Sequence, residues 1–405
     1  MKFIFIVDAF PTVSETFILN QITGLIDLGH ETVIFSAARP DDRDFHEDIR
    51  KYGLLKMTYY HNDRDNNKLT RILWGLLLII RYGHRNPKAV WNSLNFFKYG
   101  KEALSLNYLY KVMLFLAVGK IDIIFCHYGP NGNLAALMKE MGIQGKLVTM
   151  FHGYDVRRGV EQGGAIYAPL FKQGDCYLSI SDYNYKHLLE FGTPVEKIRA
   201  HPVGIDLERY TYLARQGLAK GAVRILTIGR LVKEKGLFYG LEAVHRLVHE
   251  RKLTNIEYYI LGDGPEREEL QAMAQKLQIK DKVYFMGSQT QEAVVKVLRD
   301  SDLFLLPSIA EALPVVLMEA QATGLPVIAT DVGSVAQVMA DGRSGYIVPV
   351  RDVGAMCDKI EFLLRNPQLW AVMGEAGRRH IEEHYDIKKL NQRLVQICQG
   401  LLERD

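Results

Sequence analysis

The chain has 405 residues, 48% hydrophobic and 24% charged, with a formal net charge of +3. This length allows two or three domains with full cores, and the composition excludes a disordered or fibrous chain. A charge so near neutral gives no argument for a nucleic-acid partner. None of the cysteines Cys126, Cys176, Cys357 and Cys398 stands in a Cys-x-x-Cys pair, so neither a zinc site nor a redox pair is expected.

The N-terminus MKFIFIVDAF is apolar but short and contains Asp8, which favours a first core strand over a signal peptide. Short β-rich apolar runs then alternate with helical patterns. The first series is FIFIV (3–7), TVIFS (32–36), IDIIFC (121–126), LVTMF (147–151) and CYLSI (176–180). The second is RILTIG (224–229), EYYILG (257–262), VYFMG (283–287), LFLLP (303–307), PVIAT (326–330) and GYIVP (345–349). These are continuous rather than alternating runs, with helices between them, as in parallel sheets covered on both faces. The expected fold class is therefore α/β, with two doubly wound domains. Their boundary falls between VGIDLERY (203–210) and GAVRILTIG (221–229), giving domains 1–205 and 206–384. In the tail 385–405, Ile387, Leu390, Leu394, Ile397 and Leu401 make one helical stripe. The longest apolar run, ILWGLLLII (72–80), is about half of the ~20 residues a spanning helix needs.

The stretch EALPVVLMEAQ (311–321) places Glu311 and Glu319 around a chargeless segment. Pro314 suits a first helical turn, so a helix starts near residue 313 or 314 and stops at Gly324. Glu311 then precedes the helix and Glu319 lies in its second turn. A helix N-terminus at the carboxyl end of a parallel strand is an anion site. The alternative is that Glu311 only caps the helix and Glu319 faces solvent. Further polar groups follow other strands: Arg230 and Lys235 in TIGRLVKEKG (227–236), a glycine turn in LGDGPERE (261–268), His152 and Asp155 in FHGYD (151–155), and the loop AFPTVSETF (9–17). Two cations beyond the first strand of a sheet suit a diphosphate, though surface cations are also common. A lone histidine such as His152 also fits a purely structural place.

In this order EALPVVLMEA, GRLVKEKG, LGDGPERE, the FHGYD strand end and SISDYNYKHLLEFG…KIRAHPVGIDLERY resemble family 4 retaining glycosyltransferases of the GT-B fold. The resemblance covers nearly the whole chain. The opening FPTVSETFILNQITGLIDLGH is similar to the branch that builds bacterial exopolysaccharide of the colanic acid and amylovoran type. It implies two Rossmann-like domains with an interdomain cleft, the acceptor in 1–205, a nucleotide sugar of UDP or GDP type in 206–384, and a C-terminal helix returning to the first domain. By the same resemblance Glu311 contacts the donor sugar, Glu319 holds the ribose, and Arg230 and Lys235 clamp the diphosphate, assisted by amides near Leu313, Val315 and Val316. Gly264 and Gly287 fall to the donor side, Gly287 near the base. His152 approaches the sugar, and His152, Glu311, Arg230 and Lys235 form the catalytic set. Ser14, Glu15, Thr16 and Asp155 fall to the acceptor or cleft, with Ser14 also suited to cap the following helix. By the resemblance no cofactor or metal is implied.

Two departures from the family pattern stand out. Ala312-Leu313 replaces a commoner glycine-containing pair, so Ala312 would be strained if its φ were positive. The first loop also lacks the family's paired glycine. Within 68–120, nine Lys/Arg face one acid, Glu102, among apolar and aromatic residues. That stretch fits either an anionic membrane surface or a helical insertion with a solvated basic face. The setting read from the sequence is cytoplasmic, peripheral to the inner face of the membrane in the first case, with a glycan or lipid-linked acceptor. A sugar-nucleotide epimerase and a non-catalytic nucleotide-sugar-binding subunit are the alternatives. A Rossmann oxidoreductase is disfavoured because DAFPTVSE, not Gly-x-Gly-x-x-Gly, follows the first strand.

Overall fold

A computed structural model describes residues 1–12, 15–40, 46–60, 67–215 and 221–403. The chain divides into two compact units, one of Met1–Pro202 with Lys388–Asp405 and one of Val203–Ile387. Each is a parallel sheet covered by helices.

The first unit contains β1 (Lys2–Ala9), β2 (Glu31–Ala38), β3 (Thr58–Tyr60), β4 (Ile123–His127), β5 (Lys146–Phe151), β6 (Cys176–Ser179) and β7 (Ile198–Ala200). Their order is β3-β2-β1-β4-β5-β6-β7, with every pairing parallel. The second unit contains β8 (Val223–Ile228), β9 (Ile256–Leu261), β10 (Val283–Gly287), β11 (Leu303–Leu306), β12 (Val327–Thr330) and β13 (Gly345–Val348). Their order is β10-β9-β8-β11-β12-β13, also all parallel. Each strand run read from the sequence contains a strand. The sequence reading misses β3 and β7, the two edges of the first sheet. Each has three residues and is only partly buried, so neither leaves an apolar run to recognise.

The central strands β1, β4 and β5 are buried along almost their whole length, which explains why they read as continuous apolar runs. In each sheet the winding direction reverses once, between β1 and β4 and between β8 and β11. At such a reversal the loops leave neighbouring strands in opposite directions and open a crevice beyond the carboxyl ends.

The C-terminal helix Ile387–Leu402 buries Leu390, Asn391, Leu394 and Cys398. Cys398, rather than Ile397, thus completes the buried stripe. Asn391 donates to the Asn20 carbonyl at 3.2 Å. Gly24 makes this approach possible, because a Cβ there would collide with the Asn391 amide.

Candidate active site

In the second unit, the reversal joins the loop after β8 to the loop after β11. The amides of Ile309 and Ala310 both donate to the Glu234 carbonyl, at 2.8 and 3.2 Å. Gly236 has φ +59 and faces the Pro307 carbonyl, which a Cβ would strike. This interlock brings Lys235, at the end of the short turn Lys233–Lys235, onto Glu311. Lys235 Nζ donates to Glu311 Oε1 at 2.6 Å, and Ser308 Oγ donates to the same oxygen at 2.7 Å. The two residues assigned separately to phosphate and sugar are therefore ion-paired with each other. Arg230 is exposed, and its side chain pairs with none of the described residues.

The helix after β11 is Val315–Ala322, with Pro314 at its N-cap. The expected start at 313 or 314 shifts by one residue because Pro314 has ψ 92, outside the helical range. The Leu317 amide is used locally, donating to the Pro314 carbonyl at 3.0 Å. The Val315 and Val316 amides have no acceptor among the described residues, so the helix presents unsatisfied N–H groups and partial positive charge beside Glu311. Ala312 is not among the described non-glycine residues with positive φ, so the expected strain is absent. The demand for glycine falls instead on Gly333, with φ +54, whose Cβ would collide with the Glu311 carbonyl.

Glu319 is buried and accepts from Tyr210 OH at 2.7 Å. Burial pushes its carboxyl up to about 7, against the opposing effects of the Tyr210 hydrogen bond and nearby Arg209. Gln291 donates to the Tyr210 hydroxyl at 3.3 Å and also receives a hydrogen bond from Arg209. The alternative in which Glu319 faces solvent is thus excluded. Tyr210 was missed as a site residue; its signal was ERY in VGIDLERY, which the sequence reading treated as an approach to the domain boundary. Its position is fixed from behind by Arg378, which donates to the Tyr210 carbonyl at 2.6 Å; nearby in the chain, buried Arg215 donates to the carbonyls of Leu298, Arg299, Ser301 and Thr323. Arg215 thereby satisfies the C-terminal carbonyls around two helices.

The glycines work through backbone approach. A Cβ on Gly264 would lie 2.5 Å from the Leu231 carbonyl oxygen, inside the loop that carries Arg230. Gly287 has φ +70, and its carbonyl accepts from the Gly262 amide at 2.9 Å.

In the first unit the corresponding reversal lies beyond β1 and β4. His127 ends β4, and its Nδ1 lies 3.1 Å from Nε2 of His152. Burial lowers the His152 pKa to about 3 and also lowers that of His127, helped there by His152, so both rings are neutral. Nε2 of His127 is buried without a partner among the described residues. His152 is therefore half of a histidine pair, and the sequence signal for the other half was CHYG at the end of IDIIFC. Asp155, expected on the cleft wall, is fully buried and caps the helix Gly153–Gln162. Its Oδ1 accepts from the amides of His152 and Val156 at 2.8 and 3.0 Å, and its Oδ2 accepts from Gly129 at 2.9 Å.

Glu15 occupies the N-cap position of the helix Thr16–Asp27, with Thr16 as its first residue and no side-chain cap bond. Its carboxylate accepts instead from Tyr128 OH at 2.6 Å and Thr12 Oγ1 at 3.1 Å. Ser14 lies outside the described residues. Tyr128 has φ +72, an unfavourable conformation for a residue with a Cβ, and stands directly beyond β4. Among the described residues, no group of three or more His, Cys, Asp or Glu side chains is placed to hold a metal ion.

Two successive doubly wound parallel sheets in these strand orders are the architecture of the GT-B fold. The family model for glycosyl transferases group 1 matches residues 209–380, and that for glycosyltransferase family 4 matches residues 14–209. The chain belongs to glycosyltransferase family 4, whose members are retaining enzymes. It is 33% identical to WcaL of Salmonella typhimurium, named for colanic acid biosynthesis, over 99% of this chain and 100% of that one. It is 30% identical to the amylovoran biosynthesis glycosyltransferase AmsK of Erwinia amylovora, again over 99% and 100%. In fold it matches Anabaena HepE, solved with UDP, at a TM-score of 0.74 and 14% identity, over 99% of this chain and 100% of that one. The enzyme is thus a glycosyltransferase related to those of exopolysaccharide biosynthesis.

Proposed function

We propose that the enzyme transfers a hexose from a nucleoside-diphosphate sugar to a hydroxyl of a glycan or lipid-linked saccharide, with retention at the anomeric carbon. The second unit takes the donor and the first the acceptor, with Glu15 and Thr16 on the acceptor side and His152 serving the sugar. The observation that carries the donor reading is the Lys235–Glu311 ion pair at the reversal of the second sheet, with exposed Arg230 in the loop that also carries Lys235 and the free Val315 and Val316 amides at the start of the helix that follows Glu311.

The chemical load is negative charge on the departing diphosphate. Arg230 offers it a planar fork, Lys235 a point charge, and the helix N-terminus oriented N–H groups. Lys235 exchanges part of its Glu311 pairing for phosphate. This frees Glu311 Oε1 to accept from a sugar hydroxyl, so donor binding and sugar positioning are coupled. Glu319 is an acceptor of ribose hydroxyls, oriented by Tyr210, and Gly264 and Gly287 form the wall toward the base. HepE, whose fold this chain shares, was also solved with UDP-glucose, which favours UDP as the first nucleotide to test.

Thermal-shift measurements with UDP-, GDP- and ADP-sugars test this reading. The true donor raises the melting temperature, because it binds only the folded state. NMR of the product then reads the anomeric configuration. If no nucleotide sugar stabilises the protein, or if Lys235→Ala leaves turnover near normal, the donor assignment fails.

A further inference from the structure

The helix Lys68–Tyr82 in the first unit has two apolar faces, and only one has a partner among the described residues. The inner stripe of Gly75, Leu78, Ile79 and Tyr82 packs on the unit's core, with a Cβ on Gly75 placed to meet the side chains of Leu106 and Leu109. The outer stripe of Leu69, Leu73, Leu76 and Ile80 follows helical spacing and faces away. Leu69 is 73% exposed and Ile80 77%. Beyond the helix, Trp91 is 78% exposed and Phe97 89%. So many large apolar groups from successive segments mark a surface that something covers.

The charge around them indicates what. Residues 67–104 contain seven Lys/Arg against one acid, Glu102. Arg71 and Arg85 are spent on backbone carbonyls, and Lys98 pairs with Glu140. Lys68, Arg81, Lys88 and Lys101 are exposed and form no ion pair with any described residue. A second copy of this chain meeting the patch about a twofold axis would bring cations against cations. At about 1.5 Å per residue, the helix of 15 residues extends about 22 Å, short of a ~30 Å hydrocarbon core. No helix among the described residues is long and apolar enough to cross a membrane.

We propose that this face of the first unit, centred on the outer stripe of the helix Lys68–Tyr82, docks flat on an anionic lipid surface. The Leu and Ile side chains, with Trp91 and Phe97, enter the headgroup boundary, while the free cations meet acidic headgroups. The inference rests on the first unit alone and is independent of the donor reading.

Vesicle flotation of the intact chain tests it. The protein should float with mixed phosphatidylcholine–phosphatidylglycerol vesicles about tenfold better than with phosphatidylcholine alone, and high salt should reduce the difference. The double variant Leu73→Glu/Ile80→Glu alters only exposed positions. It should keep its melting temperature and nucleotide-sugar stabilisation while losing flotation about tenfold or more. Lys68→Gln/Lys88→Gln should lose most of that tenfold preference, on acidic vesicles only. Absence of flotation, or equal flotation with neutral vesicles, overturns the proposal. So does a dimer in light scattering that Leu73→Glu/Ile80→Glu dissociates without any vesicle binding, because the face would then join two copies of this chain.

Discussion

The crevices beyond β1/β4 and beyond β8/β11 share one topology and differ in electrostatics. In the first, the titratable groups pair with one another or with the backbone, apart from Nε2 of His127, which has no partner among the described residues. His127 and His152 are neutral and face each other, Asp155 receives three backbone amides, and Glu15 accepts from Tyr128. In the second, Arg230 has no partner among the described residues, two helix amides are without an acceptor among them, and Lys235 is paired with the Glu311 carboxylate. The same winding therefore yields one crevice lined by neutral or paired groups and one with unpaired cationic groups. The difference comes from which residues follow the strands.

Four experiments break or sharpen that contrast. The largest effect is expected at Lys235. Lys235→Ala should lower transfer about 10²–10³-fold, the usual range for losing one charge-stabilising donor, with the melting temperature little changed. Glu311→Gln, which keeps the side-chain volume, should retain nucleotide binding and still lose most transfer in steady-state assays. Removing the buried cap in the other crevice, Asp155→Ala, should cost about 1–3 kcal/mol by leaving three amides without an acceptor. Chemical denaturation should show that loss, while nucleotide binding to the folded protein stays normal. Arg230→Ala, at an exposed site, should weaken nucleoside-diphosphate binding about tenfold with no loss of stability, read by calorimetry.

A further test concerns pH. The Glu319 carboxyl lies near 7 in the fold and near 4.3 when unfolded. A raised folded-state value means that its contribution to stability is fully present below the unfolded value and is lost as pH rises through about 7. The wild-type melting temperature should therefore fall relative to Glu319→Gln between pH 5 and pH 8. Nucleotide affinity should move the other way, tightening as the carboxylate forms to accept ribose hydroxyls, and Glu319→Gln should lose that trend.

The sheets, the helix after β11 and the residues around it were legible in the sequence because each leaves a local mark. Continuous apolar runs report strands buried on both faces, proline reports a helix entrance, and cations directly after a strand report a loop at the ligand end. β3 and β7 escaped because a half-buried edge strand of three residues imposes no pattern. His127 escaped because it is the last residue of a strand, and pairing with His152 requires two strands brought side by side. Asp155 was misplaced for a related reason. Three residues after His152 it suits a polar site or a capping box equally well, and only burial with the Gly129 amide decides between them.

The sequence alone determined the family and the doubly wound class, because these follow from local periodicity and from residues adjacent in the chain. The tertiary structure decided the rest. It made Lys235 and Glu311 a pair, moved the demand for glycine from Ala312 to Gly333, and buried Glu319 beneath Tyr210. It also left the outer stripe of the helix Lys68–Tyr82 without a partner. Each of these turns on contact between segments far apart in the chain, and burial or pairing of that kind is a property of three-dimensional packing that no local spacing encodes.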